Sequence, residues 1–98
     1  GSNPESLAIL LKQARDISGP YRKDALQGLG KLKTIQGLIA LREIVSNPDD
    51  PCQEFTIRIL ADCGDKDSLP ILEKLYRNPQ VSESIRRAAL KAFEKLTK

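Results

Sequence analysis

Apolar residues recur at three- and four-residue spacing along nearly the whole chain, and short runs rich in Gly, Pro, Asn and Asp interrupt them. That period places one side of an α-helix in a core, and the interruptions mark helix ends. Six helices are predicted. The first covers residues 4–17, with Leu7, Leu10, Leu11 and Ala14 on one face, Asn3 as its cap and Pro4 at its first position; Ser18-Gly19-Pro20 ends it. The second covers 21–32, with Tyr21, Ala25, Leu29 and Leu32 inward. The third covers 34–46, with Ile35, Leu38, Leu41, Ile44 and Val45 inward.

Asn47-Pro48-Asp49-Asp50-Pro51 reads as a turn and a restart. Asp50 can cap the fourth helix (51–63), Pro51 suits its first position, and Gln53 can complete a capping box. Phe55, Ile57, Ile59, Leu60 and Ala61 make this helix apolar nearly all round, which suits burial between neighbours. The fifth covers 68–77, with Asp67 or Ser68 as cap and Pro70 in its first turn, where a missing N–H costs little. The sixth covers 82–97, with a stripe of Ile85, Ala88, Ala89, Ala92, Phe93 and Leu96. No run alternates with a period of two, so no strand is predicted. Short connections make successive helices antiparallel neighbours.

The pattern repeats. Residues 25–41, ALQGLGKLKTIQGLIAL, align without gaps on residues 59–75, ILADCGDKDSLPILEKL. The offset is 34 positions (21 to 55). It pairs Leu29 with Cys63, Gly30 with Gly64, Leu38 with Leu72 and Leu41 with Leu75; a third copy begins at Ile85, 30 positions after Phe55. One helix pair cannot bury its own apolar stripe, whereas stacked pairs form a continuous core. Gly30 and Gly64 are read as the ends of first helices, where glycine accepts a left-handed conformation. Gly28 and Gly37 fall inside helices at a cost of ~1 kcal/mol each, which close helix approach would explain.

These residues carry a family resemblance. Tyr21-Arg22-x-x-Ala25-Leu26-x-Gly28-Leu29-Gly30 and Ile85-Arg86-x-x-Ala89-Leu90-x-Ala92-Phe93 resemble the first helix of short HEAT-like repeats of the phycobilin-lyase type. Gly64-Asp65-x-x-Ser68-Leu69-Pro70-x-Leu72 resembles their turn and second helix. The resemblance covers about residues 20–97, and it departs from the family pattern at Lys31, which replaces an acidic turn residue, and at Thr56, which replaces the arginine. It implies an all-α, α-solenoid fold of about three helix pairs. The domain divides as a half repeat (4–18), repeats at 20–47 and 50–78, and a half repeat (81–98), after a cloning remnant and tail at 1–3. The half repeats are expected either to continue into a larger protein, the favoured reading, or to act as caps of the array. The resemblance also implies a ladder of arginines and turn aspartates between repeats, from which Arg86 is expected to pair with Asp65.

Composition narrows the chemistry. Charged residues make up 30% and hydrophobic ones 40% of 98 residues, aromatics are 4%, and there is no His, Met or Trp. Absence of histidine removes the commonest general base and metal ligand together. The paired carboxylates Asp49-Asp50 and Asp65/Asp67 fall in turns, where aspartate caps helices. Neither pair starts a calcium loop, because proline or leucine occupies positions that need oxygen ligands or glycine. Without a phosphate loop or a nucleophile–base pair, no enzyme activity, cofactor, metal or small-molecule substrate is expected. On one helix Cys52 and Cys63 would lie roughly 16 Å apart, too far for a disulfide, so free thiols and a cytoplasmic location are expected. No apolar run reaches the ~20 residues of a membrane span.

What remains is a binding face. With Leu38 and Leu41 inward, the outward stripe of the third helix is Gln36, Ala40 and Glu43, matched on the fifth by Pro70, Lys74 and Arg77 and on the first by Lys12 and Arg15. The candidate partner-binding residues are therefore Lys12, Arg15, Gln36, Glu43, Lys74 and Arg77. The net charge of +3 and the basic tilt of this ridge suit an acidic segment of a protein partner. A protein-interaction or scaffolding module is the first expectation. A nucleic-acid-binding module is the second, weakened by the lack of aromatics for base stacking. An accessory subunit of a lyase-like enzyme is the third and rests on the family resemblance alone.

Overall fold

The computed structural model describes residues 4–98. The expected cap Asn3 and the remnant Gly1-Ser2 lie outside the described residues. Six α-helices are present: α1 (Pro4–Arg15), α2 (Arg22–Leu32), α3 (Ile35–Ser46), α4 (Gln53–Asp62), α5 (Leu69–Arg77) and α6 (Glu83–Thr97), with one 3₁₀ turn (Lys66–Ser68) before α5. No strand occurs among the described residues.

The helices pack in two rows. α3 touches α1 and α5, while α4 touches α2 and α6. Across the rows α1 packs on α2, α2 on α3, α3 on α4, and α5 on α6. The molecule measures 40 × 30 × 15 Å, a slab two helices deep. Its core runs between the rows through Ala14, Leu26, Leu29, Leu41, Val45, Ile57, Leu60, Leu72, Ala89 and Leu96.

The internal repeat has a different register from the sequence alignment. The buried residues of α2 are Arg22, Ala25, Leu26, Leu29 and Gly30. Those of α4 are Gln53, Thr56, Ile57, Leu60 and Ala61, each 31 positions later (22 to 53, 30 to 61). The last residues of α1, α3 and α5 are Arg15, Ser46 and Arg77, again 31 apart. Leu41 therefore corresponds to Leu72, and Leu29 to Leu60 rather than to Cys63. The 31-residue spacing holds on both sides of the connection and matches Lys33 with Gly64, both at positive φ, so the 34-residue offset reflects similar letters rather than equivalent positions.

Several local readings are corrected with it. Gly30 does not end a helix. It is buried inside α2, and a Cβ there would stand 2.5 Å from Ile59 Cγ2, so its role is to let α4 approach. The left-handed residue at the end of α2 is Lys33, with φ of 53°, whereas Gly64 does end α4 with φ of +77°. Gly37 is a close-approach glycine, since a Cβ would meet Thr34 Oγ1 at 2.9 Å and Leu29 Cδ2 at 3.2 Å. Gly28 is not, because its nearest neighbour, Leu10, would sit at an ordinary 3.4 Å.

Thr34 caps α3, its hydroxyl accepting a bond from Gly37 N at 3.0 Å. Asp50 and Gln53 form no capping box. Asp50 accepts from Cys52 N at 2.8 Å in the turn before α4, and Gln53 Nε2 donates to Val45 O at 2.9 Å instead. Ser68 does not cap α5 with its side chain, because its hydroxyl donates to Asp65 O at 2.6 Å. Tyr21, Leu32 and Ile35, expected inward, are exposed, and Ala40, expected outward, is buried.

Candidate functional site

Two ion pairs fix the connections that hold the rows. Arg22 is buried at the start of α2. Its Nε donates to Ala14 O at 2.7 Å, and its two terminal nitrogens donate to both oxygens of Asp50 at 2.7 and 2.6 Å. One guanidinium thus ties the end of α1 to the turn before α4. Arg42 on α3 makes the corresponding fork to Asp65 in the turn after α4, at 2.8 and 2.6 Å, with Asp67 at 3.5 Å from the same guanidinium. Hydrogen bonding to Asp65 raises the Arg42 guanidinium above its ordinary value, against the opposing effect of burial. Bidentate arginine–carboxylate pairs set orientation as well as distance.

The expected Arg86–Asp65 pair is absent. Asp65 is taken by Arg42, and Arg86 Nε is buried without a hydrogen-bond partner among the described residues. Arg42 was missed as a partner because it lies in a second helix, where no motif position flags it. The Arg22–Asp50 pairing could not be read either, because 28 positions separate its members.

The Arg22 and Asp50 side chains are each 4% exposed, whereas Arg42 is 21% exposed on the wall of a surface groove. Among the described residues no three His, Cys, Asp or Glu side chains are grouped closely enough to hold a metal ion. Both cysteines are free. Burial and the nearby Asp65 push the Cys63 thiol up, which disfavours the reactive thiolate.

The row α1–α3–α5 is the other feature of note. The 31-residue register sorts its exposed residues into bands that cross the three helices. Glu5, Gln36 and Asp67 share one position, and Ala8, Ile39 and Pro70 the next. Lys12, Glu43 and Lys74 form a third band, and Arg15, Ser46 and Arg77 a fourth; all twelve are exposed. All six sequence-expected residues therefore lie on this row, in a different grouping. Glu43 corresponds to Lys74 rather than to Arg77, and Gln36 lies near the opposite ends of the helices from Arg15 and Arg77.

Electrostatically the row is banded too. Lys12, Arg15 and Lys74 form no ion pair among the described residues, whereas Arg77 contacts Glu73 at 3.2 Å and lies 5.6 Å from the Tyr76 ring. The Glu73 pair is exposed and so holds Arg77 only weakly. The sequence reading also missed the apolar centre of the row. Ile35 is 77% exposed and Ile39 46% exposed, and a groove of about 530 Å³ beside Ile39 is lined by Pro48 and Ile71 together with Arg42, Glu43, Ser46 and Asn47. Periodicity assigns isoleucines to a core by default, so only their lack of neighbours could reveal them.

The opposite row carries a groove of about 510 Å³ between α4 and α6, floored by Ala61, Ala88 and Ala92. Its lining carries four cations and two anions: Arg58 pairs with Glu54 at 2.7 Å and Lys95 with Asp62 at 2.6 Å, Arg87 is held by Glu83, and Lys91 forms no ion pair among the described residues. No helix among the described residues is long and apolar enough to cross a membrane. No family model, curated protein or solved structure matches this chain.

Proposed function

We propose that this domain is a protein-interaction module whose contact face is the row α1–α3–α5. The observation that carries it is the pair Ile35 and Ile39, side by side on the central helix of the row and open to solvent. An exposed branched aliphatic cluster rimmed by charge is the composition of a protein contact site. The two-row packing and the 31-residue recurrence support reading the fold as a short α-solenoid, and the sequence motifs support placing it among HEAT-like repeats. In such an array second helices form one continuous surface.

A nucleic-acid reading is favoured less by the same face. Glu43 sits between Lys12 and Lys74, and Glu5 and Asp67 flank the apolar band, so the basic residues do not form a continuous track for phosphates.

A photo-crosslinking amino acid at position 39, with a control at position 58 on the opposite row, tests the reading in extract of the native cells. Crosslinks to a discrete polypeptide at 39 and not at 58 support it. Crosslinks at 39 that nuclease digestion removes, or equal crosslinking at both positions, overturn it.

A further inference from the structure

The bands say how a partner would lie, and what it would carry. Lys12 and Arg15 stand on α1, Lys74 and Arg77 on α5, and α3 between them offers Glu43 and Ser46 at the equivalent positions. A carboxylate is thus welcome at the two sides of the row and repelled at its centre. The centre offers apolar contact at Ile39, Pro48 and Ile71 on the wall of the adjoining hollow, whose one cation, Arg42, is already held by Asp65 and Asp67. Neighbouring packed helices have axes ~8–10 Å apart, so the two basic pairs are separated by roughly 16–20 Å. An extended segment, at about 3.3 Å per residue, spans that distance in five or six residues.

We infer that the row binds an extended acidic segment of a protein partner laid across the three helices. Carboxylates at one end meet Lys12 and Arg15, carboxylates at the other meet Lys74 and Arg77, and one apolar side chain midway reaches one turn off that line to seat on Ile39. The inference rests on the protein-interaction reading and adds the partner's direction, charge pattern and spacing. Two neighbouring observations fit it. Lys12, Arg15 and Lys74 have no competing ion pair among the described residues, and the one on Arg77 is exposed and easily displaced. The carboxylates at positions 5 and 67 border the apolar band on its other edge, so an acid-ended segment shifted one band toward them would meet like charge.

Three labelled peptides test it by fluorescence anisotropy at low salt: Asp-Asp-Gly-Ser-Leu-Ser-Gly-Asp-Asp, the same with the leucine replaced by serine, and the shortened Asp-Asp-Leu-Asp-Asp. The first is expected to bind about tenfold more tightly than either of the others, a difference worth ~1.4 kcal/mol. Lys12→Glu with Lys74→Glu is expected to weaken it by at least about tenfold with an unchanged melting temperature, while Lys91→Glu on the opposite row leaves it unaltered. Equal binding of long and short peptides, with both weakened by the double reversal, overturns the spacing inference and leaves the protein-binding face standing. Binding of a labelled oligothymidine in place of all three peptides, lost on the same double reversal, overturns the inference and the protein reading together. Failure of every probe overturns the inference, and the crosslinking at position 39 then decides the reading by itself.

Discussion

Arg22 holds both carboxylate oxygens of Asp50, 28 positions away in the chain, and each side chain is only 4% exposed. Burial pushes the Asp50 carboxyl up. The Arg22 hydrogen bonds, the Cys52 N–H and the Arg22 charge outweigh it and hold the group below its ordinary 3.8. Removing one member strands the other in a dry site. Asp50→Ala is therefore expected to cost ~3–5 kcal/mol, measured by urea unfolding. By contrast, Glu54→Ala at the exposed pair with Arg58 is expected to change stability by less than ~1 kcal/mol.

The sign of the pH dependence follows from the same pair. A carboxyl whose folded value lies below its unfolded one stabilises the fold fully above the unfolded value, about 3.9. The contribution is lost as pH falls through the lower, folded value. Midpoints of urea unfolding between pH 6 and pH 2.5 are expected to drop for the wild type. In Asp50→Asn the drop is expected to be shallower, from a lower starting stability. Parallel curves for the two proteins would refute the assignment.

Two glycines two residues apart, on different sides of α2, are expected to respond in opposite directions. At Gly30 an added methyl meets Ile59 Cγ2 at 2.5 Å, and a β-branched side chain cannot swing aside freely. Gly30→Ala is expected to destabilise by ~1–3 kcal/mol, more than its helix-propensity gain returns. At Gly28 the nearest atoms, on Leu10, are at an ordinary 3.4 Å. Gly28→Ala is expected to stabilise by ~0.5–1 kcal/mol, read as a rise of several degrees in melting temperature. Equal effects at the two positions would mean that α4 does not close on Gly30.

These glycines also mark what the sequence could tell. All six helices were legible, because apolar spacing and proline or asparagine breaks act locally. Register was not: a motif aligns chemically similar letters, and the letters around Gly30 and Gly64 are similar although one packs and the other turns. What separates them is Ile59, which packs on Gly30, and the left-handed turn in which Gly64 matches Lys33, and neither is written in the letters themselves. The candidate face was half legible. Charges on second helices could be placed outward, but Ile35 and Ile39 look like core until the absence of a covering element is known. Arg42 carried no signal, since its partner Asp65 is set by how α3 meets the next turn.

Thr56 sits where α2 has Ala25, and it is fully buried with its hydroxyl unpartnered among the described residues. A buried hydroxyl without a partner costs ~1–3 kcal/mol relative to one that is paired. Thr56→Val keeps the shape and removes the polar atom, so it is expected to stabilise by about 1 kcal/mol in urea unfolding. Thr56→Ser, which keeps the hydroxyl and leaves a small void, is expected to destabilise. If valine were the worse of the two, the hydroxyl would have a partner and the packing around α4 would need revision.

Lys33 and Gly64 hold similar backbone shapes with opposite suitability. Both have positive φ, 53° and +77°. At Lys33 the conformation closes α2 through a bond from its N–H to Leu29 O at 3.1 Å. An L-residue side chain pays ~1–2 kcal/mol for that region, whereas glycine does not. Lys33→Gly is therefore expected to stabilise, by ~0.5–1 kcal/mol once glycine's extra freedom in the unfolded chain is subtracted. Gly64→Ala is expected to lose ~1 kcal/mol; no atom lies within 4 Å of the added Cβ, so the loss isolates the backbone. Opposite shifts of melting temperature in the two variants would establish that both first helices end in the left-handed region. A neutral Gly64→Ala would show that the turn leading to Asp65 is not held there, and the Arg42 fork would then have to form without it.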